Sequence, residues 1–307
     1  MPERLIINGR GDEKVVYLRP DVAISQQTKT PKPFNEYLDD MQAVQEIVNK
    51  ANPWQEEVTV PIKCDSEWYA VRPLADLHLG GGGVDYDKVK ELLASLTTFS
   101  NIGTILVGDL CDFFIPTGKI ANGMTGQVAN PQTQWFALKS FLTTYQDRIL
   151  GMTDDPSHVN WVYQATGVDP YTTICDDLKI PLVNQGGLVR LDFGAVSYDI
   201  VPFHNIAKFK SSFNLTHAHK RVLELHRDAD VVISGHIHHS TYESAVRNGH
   251  EVSLLQLGTT KTSDSWGARQ GFLGRPDSGY PILLLNTRHK AMEIVKTVEA
   301  AEKFLCN

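Results

Sequence analysis

Cysteine is scarce in this chain. Cys64, Cys111, Cys175 and Cys306 are the only four in 307 residues, far apart and without a CxxC pair. That argues against a disulfide framework and leaves four thiols expected to be reduced. Long apolar runs are missing as well. No stretch of about 18 apolar residues occurs, so no membrane-spanning helix is expected. The opening MPERLIINGRGDEK carries charges where a secretory signal needs its apolar segment. A cytoplasmic protein with no membrane partner is the expectation. Positive charge is in deficit, with 29 Lys and Arg against 36 Asp and Glu, a net charge of −7. That argues against a broad surface for coating nucleic acid. Lys208, Lys210, Lys220 and Arg221 gather along one segment and read as a solvated helix face. There is no internal repeat and no long low-complexity tract.

What is present is ordinary soluble-protein composition, 42% hydrophobic and 21% charged, enough to bury a sizeable core. Residues 1–33 are mixed and punctuated by proline, and read as an arm. Apolar residues at Phe34, Leu38, Met41, Val44, Ile47 and Val48 have helical spacing over 34–51, and Pro53 stops the run. The expected organisation is therefore an N-terminal arm and helix over 1–56 and a main domain over 57–307. EVTVPIK and WYAVRPLA flank CDSE and read as a β-hairpin. Helices are expected over 86–99, 131–150, 170–180 and 212–229. Strands are expected at TILVG (104–108), on both sides of Gly194 within 187–203, at DVVISG, at YPILLLN and at AMEIVKTV. YESAVRNGHEVSLLQLG reads as a hairpin turning at Asn248-Gly249. Alternating elements early and hairpins late predict a layered α/β protein with both parallel and antiparallel pairing.

Residues able to hold a metal recur where these strands end. Asp76 and His78 in PLADLHLGGGG lie two apart, so an extended chain would point both the same way. Asp109 follows a strand and a glycine, and His204 closes another strand. His236 and His238 lie two apart in SGHIHHS, straight after an apolar run. Mixed carboxylate and imidazole donors suit Mn, Fe, Zn or Ni better than calcium or magnesium. Two Asp and four His exceed one tetrahedral ion. They suit two divalent transition-metal ions about 3.5–4 Å apart sharing a carboxylate, the arrangement that hydrolyses phosphate esters.

The order DLH (76–78), GDLCD (108–112), FH (203–204) and GHIH (235–238) resembles the calcineurin-like metallophosphoesterases over roughly residues 57–297. ATGVDPY and GTTKTSDSWGARQGF also resemble the phage and prophage branch of that family. The resemblance implies a four-layer α/β/β/α sandwich of two mixed β-sheets flanked by helices. It implies that Asp76, His78 and His238 hold one ion, Asp109 bridges, and His204 and His236 hold the other. It implies a phosphate-ester substrate, with a nucleotide or nucleic acid among the candidates. Hydroxide would attack phosphorus in line with the leaving group.

One family motif departs. Where the family has G-N-H-[DE], this chain reads Gly151, Met152, Thr153 and Asp154, so a thioether and a hydroxyl replace an amide ligand and an imidazole. Three readings stay open: a phosphoesterase with a weaker second metal, substitution by Asp154, Asp155, His158 or Asn160 nearby, or a site that binds without turnover. On the first, restoring Asn and His at 152 and 153 should raise activity. A non-catalytic binding protein and a DNA-processing nuclease of the same family are the alternatives. Of the remaining residues, Asp112 is expected to shape its loop, Cys111 to be a small buried thiol, and His239 an exposed bystander. His217, His219 and His226 are expected on a helix surface, and Lys261 and Asp264, in the loop after a strand, are candidates to lie near the site or to pair with each other.

Overall fold

A computed structural model of the chain describes residues 4–9, 12–17, 33–51, 55–116, 118–206, 214–226, 228–247, 249–262 and 279–306. It divides into two compact units, Met1–Pro53 and Trp54–Asn307. In the first, β1 (Arg4–Gly9) and β2 (Asp12–Tyr17) pair antiparallel, so the expected arm contains a hairpin. Helix α1 (Phe34–Ala51) follows, with Phe34, Leu38 and Met41 exposed.

The second unit begins with β3 (Gln55–Pro61), two residues before the boundary expected from sequence. Then come β4 (Trp68–Val71), α2 (Tyr86–Ser95), β5 (Ile102–Val107), α3 (Pro131–Thr144) and β6 (Ile149–Thr153). Next are α4 (His158–Thr166), α5 (Pro170–Leu178), β7 (Leu182–Asp192), β8 (Ser197–Phe203) and α6 (His217–Val222). The chain ends with β9 (Val231–Ser234), β10 (Thr241–Arg247), β11 (His250–Gln256), β12 (Ile282–Asn286), β13 (Met292–Val295) and α7 (Val298–Leu305). The strands join in the order β10-β11-β9-β8-β7-β6-β5-β4-β12-β13, with β3 added on β7.

The sheet is mixed and curls into two leaves. Outer-facing Val201, Phe203, Val232, Val252 and Leu254 pack with Ala218, Val222 and Leu223 from the α6 region. At the other side Ala70, Ile282 and Leu284 pack on Ala301 and Leu305 of α7. Between them lies the main core, where Val71, Leu283 and Leu285 meet Val107, Met152, Val189 and Ile200. Alternation along each strand divides these layers, since neighbouring side chains leave opposite faces. The expected α/β sandwich of mixed pairing is the fold. The β4–β5 pairing makes the two leaves one continuous ladder.

Three expectations about elements fail for identifiable reasons. β3 and β4 do not form a hairpin: β3 pairs parallel with β7, whereas β4 lies between β5 and β12. WYAV is buried along most of its length and needs a partner on each side, and β3 is an edge strand with an exposed face. The helix expected over 131–150 stops at Thr144, and its apolar tail Ile149–Leu150 becomes β6. A short apolar run does not by itself distinguish strand from helix. The helix expected over 212–229 shrinks to six residues. Residues 212–213 and 227, like Asn248 of the expected turn, lie outside the described residues.

His219, expected at a surface, is fully buried. Its Nε2 donates to the Leu255 carbonyl at 2.8 Å, and burial pushes the imidazole down to about 4 despite that bond. An unfolded His titrates near 6.5. The neutral ring therefore contributes stability above about pH 6.5, lost as pH falls towards 4, by at most about 3 kcal/mol. Urea midpoints at pH 7 and 4.5, in chelator, should fall further for wild type than for His219→Gln. Equal slopes would refute this role.

Candidate metal centre

The six sequence-selected residues converge on one rim of the sheet. Asp109, His204 and His236 follow the ends of β5, β8 and β9 by one or two residues, and Asp76 follows the end of β4 by five. β7 makes this possible by bending at Gly186-Gly187, where its register on β3 jumps from Gln55↔Val183 to Glu57↔Leu188. It pairs with β6 before the bend and runs antiparallel to β8 after it. The end of β8 thereby meets the end of β5, and His204 Nδ1 donates to the Val107 carbonyl at 2.8 Å. Gln185, in the bend, accepts from the His204 backbone N–H at 2.7 Å.

The convergence does not come from strand alternation. Asp76, His78, Asp109, His236 and His238 all have positive φ, from 45° to 75°. They are five of the seven non-glycine residues in that state among the described residues. Each such conformation costs about 1–3 kcal/mol and persists only where the surroundings enforce it. The enforcement is visible. Thr259 and Thr260, past β11, donate side-chain hydroxyls to the Asp76 and Leu77 carbonyls at 2.8 and 2.7 Å. The Asp76 and His78 N–H groups donate to the Gly108 and Asp109 carbonyls. The His236 N–H donates to Asp76 Oδ2 at 2.8 Å. Two glycines are needed for close approach: a Cβ on Gly108 would stand 2.6 Å from His204 Nδ1, and one on Gly235 would stand 2.8 Å from Ala75 Cβ.

Three groups of donor atoms lie within 4.8 Å of one another: Asp76, His78 and His238; Asp109, His204 and His236; and His78, Asp109 and His158. His238 Nε2 is 3.2 Å from Asp76 Oδ1 and 3.1 Å from His78 Nε2. His204 Nε2 is 3.0 Å from Asp109 Oδ2 and 4.0 Å from Asp76 Oδ1. Burial alone would raise the Asp109 carboxyl, but His158 and His204 outweigh it and hold it well below its usual range. For Asp76 burial is likewise outweighed, by His204 and then His238. Burial would keep His204 neutral, yet Asp109 and Asp76 raise it to about 10 in the metal-free protein. A proton there does the neutralising that a cation would do.

The donor set fits divalent metal. Asp76 Oδ1 and His204 Nε2 are fully buried and meet no hydrogen-bond partner outside the cluster itself, where His238 Nε2 lies 3.2 Å from the first and Asp109 Oδ2 3.0 Å from the second, an arrangement of converging donor atoms that a cation would complete. The two fully buried imidazoles of the cluster each have the other nitrogen engaged: His78 Nδ1 with Asp112 Oδ1 at 2.7 Å, and His204 Nδ1 with Val107. That fixes the tautomer with Nε2 facing the carboxylates, as metal-ligating imidazoles require. Asp112 is itself held by Lys261 Nζ, 3.0 Å from both its oxygens. Lys261 therefore pairs with Asp112, and Asp264 lies outside the described residues.

The altered motif looks different in three dimensions. Met152 is fully buried in the main core, its Sδ 3.7 Å from Cys175 Sγ, and Thr153 donates to the Asn184 carbonyl. Both belong to β6. The residues beside Asp109 come from the following turn. Asp155 Oδ2 accepts from the Asp109 N–H at 3.3 Å, Ser157 Oγ donates to Asp109 Oδ1 at 3.1 Å, and His158 Nε2 lies 3.6 Å from Asp109 Oδ2. Asn160 instead reaches back to the Pro156 carbonyl. His239 belongs to none of the donor groups, His217 is exposed and His226 half-buried. Burial pushes the Cys111 thiol well above its ordinary range. Sequence reasoning places Lys261 near the site but misses the Thr259-Thr260 clamp beside it, whose only signal is a polar pair after a strand.

No family model matches the sequence, and no curated protein matches it. Solved structures do align. A single-mutant form of Vps29 from Entamoeba histolytica gives a TM-score of 0.40 at 14% identity, over 74% of this chain and 99% of that one. Wild-type Vps29 complexed with zinc, from the same organism, gives 0.39 at 14% identity, over 74% and 98%. A Streptococcus pneumoniae protein described as a predicted phosphoesterase gives 0.32 at 11% identity, over 75% and 98%. No residue role is carried over from these. The class defined here is a mixed α/β sandwich with a buried Asp/His cluster at its strand ends.

Proposed function

We propose that this chain is a cytoplasmic, metal-dependent phosphoesterase of the calcineurin-like class, phage-encoded, working at a dinuclear centre on phosphate mono- or diesters. The observation that carries the proposal is the sharing of Asp109. It stands in one donor group with His204 and His236 and in another with His78 and His158, while Asp76, His78 and His238 form the adjoining group. Asp76, His78 and His238 would hold one ion, His204 and His236 the other, and Asp109 both. Bound ions of the Mn, Fe, Zn or Ni kind would supply Lewis-acid polarisation of a phosphoryl oxygen and a more acidic water. The chain's own residues fix the donors. Asp112 and Val107 orient His78 and His204, and the threonine clamp holds Asp76 in its left-handed conformation. Nucleotides and nucleic acid are the substrates to examine first after simple esters.

The test is metal content by mass spectrometry together with hydrolysis of a bis-aryl phosphodiester and an aryl phosphomonoester in Mn²⁺, Ni²⁺ and Zn²⁺. About two ions per chain are expected, with hydrolysis lost on chelation and restored by metal. Protein that takes up no metal, or hydrolyses nothing when loaded, would refute the reading.

A further inference from the structure

We propose that His158, at the first turn of α4, is a metal ligand that joins His78 and Asp109 around one cation. The inference rests on the metal centre proposed above and adds a donor to it. His158 is about nine-tenths buried, and one donor atom from each of His158, Asp109 and His78 lies within 4.8 Å of the other two. Its Nδ1 donates to the Asp112 carbonyl. A carbonyl only accepts, so the proton sits on Nδ1 and Nε2 faces Asp109 Oδ2 at 3.6 Å. His78 and His204 show the same arrangement: Nδ1 on a protein acceptor and Nε2 towards a carboxylate.

Two further features support the assignment. Asp112 serves both rings, His78 through its carboxylate and His158 through its carbonyl, and Lys261 anchors it. A single residue thereby sets the direction of two imidazoles. The ring is also wedged between aromatic neighbours, 4.3 Å from Trp161 and 5.3 Å from Phe114 between centroids. Such packing limits rotation and preorganises Nε2. Ser157 forgoes the usual cap on α4, and its hydroxyl bonds Asp109 and Asp155 instead. The start of α4 is thus tied directly to the shared carboxylate.

The experiment uses the full-length chain and Co²⁺, whose visible bands report ligand number and type. Wild type and His158→Phe, which keeps an aromatic ring but no nitrogen, are titrated by calorimetry and absorbance. Bound metal is counted after gel filtration. The expected result is binding of one ion weakened by about ten-fold or more, with a changed band, in a variant whose metal-free near-ultraviolet dichroism matches wild type. If His158→Phe does not fold, His158→Gln gives the same readout. Unchanged affinity, count and band in a folded variant would overturn the proposal, even if hydrolysis fell, because a group acting only on substrate would leave metal binding intact. Wild type that binds no Co²⁺ would overturn the metal centre itself, a result separable from failure of His158 alone.

Discussion

Asp109→Asn is expected to remove most bound metal and to lower any phosphoester hydrolysis by about 10³-fold or more. Asparagine keeps the shape and tolerates the left-handed backbone at this position, where φ is 45°. The loss would therefore come from the charge. Asp109 is the carboxylate common to two donor groups, so the change should weaken both ions together, whereas His236→Ala should weaken one. Metal content and hydrolysis measured side by side check this, and retention of both ions would remove Asp109 from its bridging position. The metal-free proteins should differ in a pH-dependent way. In wild type Asp109 and Asp76 raise His204 to about 10 against the effect of burial. A raised folded-state pKa contributes stability that is complete below the unfolded value near 6.5 and is lost as pH rises through 10. Asp109→Asn should thus be less stable than wild type at pH 6, with the gap closing towards pH 10.

The Met152→Asn, Thr153→His double variant is expected to lose stability by about 3–5 kcal/mol without gaining metal or activity. From sequence alone the same substitutions should restore a family motif. In the structure Met152 lies in the apolar core against Cys175, and the Thr153 hydroxyl is engaged with Asn184. An amide at 152 would bury polar atoms among apolar neighbours, and an imidazole at 153 would displace a small buried hydroxyl. For a domain of this size the melting temperature should drop by about 10 °C. Thermal unfolding in chelator and metal content of the folded fraction decide the matter. An unchanged melting temperature with increased metal uptake would mean that β6 ends earlier than described.

How legible the site is depends on the kind of signal. Spacing marks Asp76, His78, Asp109, His204, His236 and His238, because each follows an apolar run that must be a strand, and parallel strands end at a common rim. The physical reason for pairing Asp76 with His78 is not the one their spacing suggests. Spacing points to alternation along an extended strand, whereas both residues are left-handed, held there by threonines nearly two hundred residues away. His158 can be named from sequence only as a neighbour of the altered motif, since nothing local says that Ser157 starts a helix or that Asp112 supplies its carbonyl. His219 is misplaced by sequence because a six-residue helix with polar residues on most positions shows no clear buried stripe.

The sequence by itself determined the layered α/β class, the order of the strand-end donors and their chemical type, because hydrophobic periodicity and donor identity are local properties. Tertiary structure alone decided that β3 pairs with β7, that Met152 belongs to the core, and that His158 comes to lie beside Asp109 and Lys261 beside Asp112. Those outcomes depend on which strand lies beside which and where β7 bends. Pairing between distant segments is chosen by the burial of whole faces, and no short window of residues contains that information.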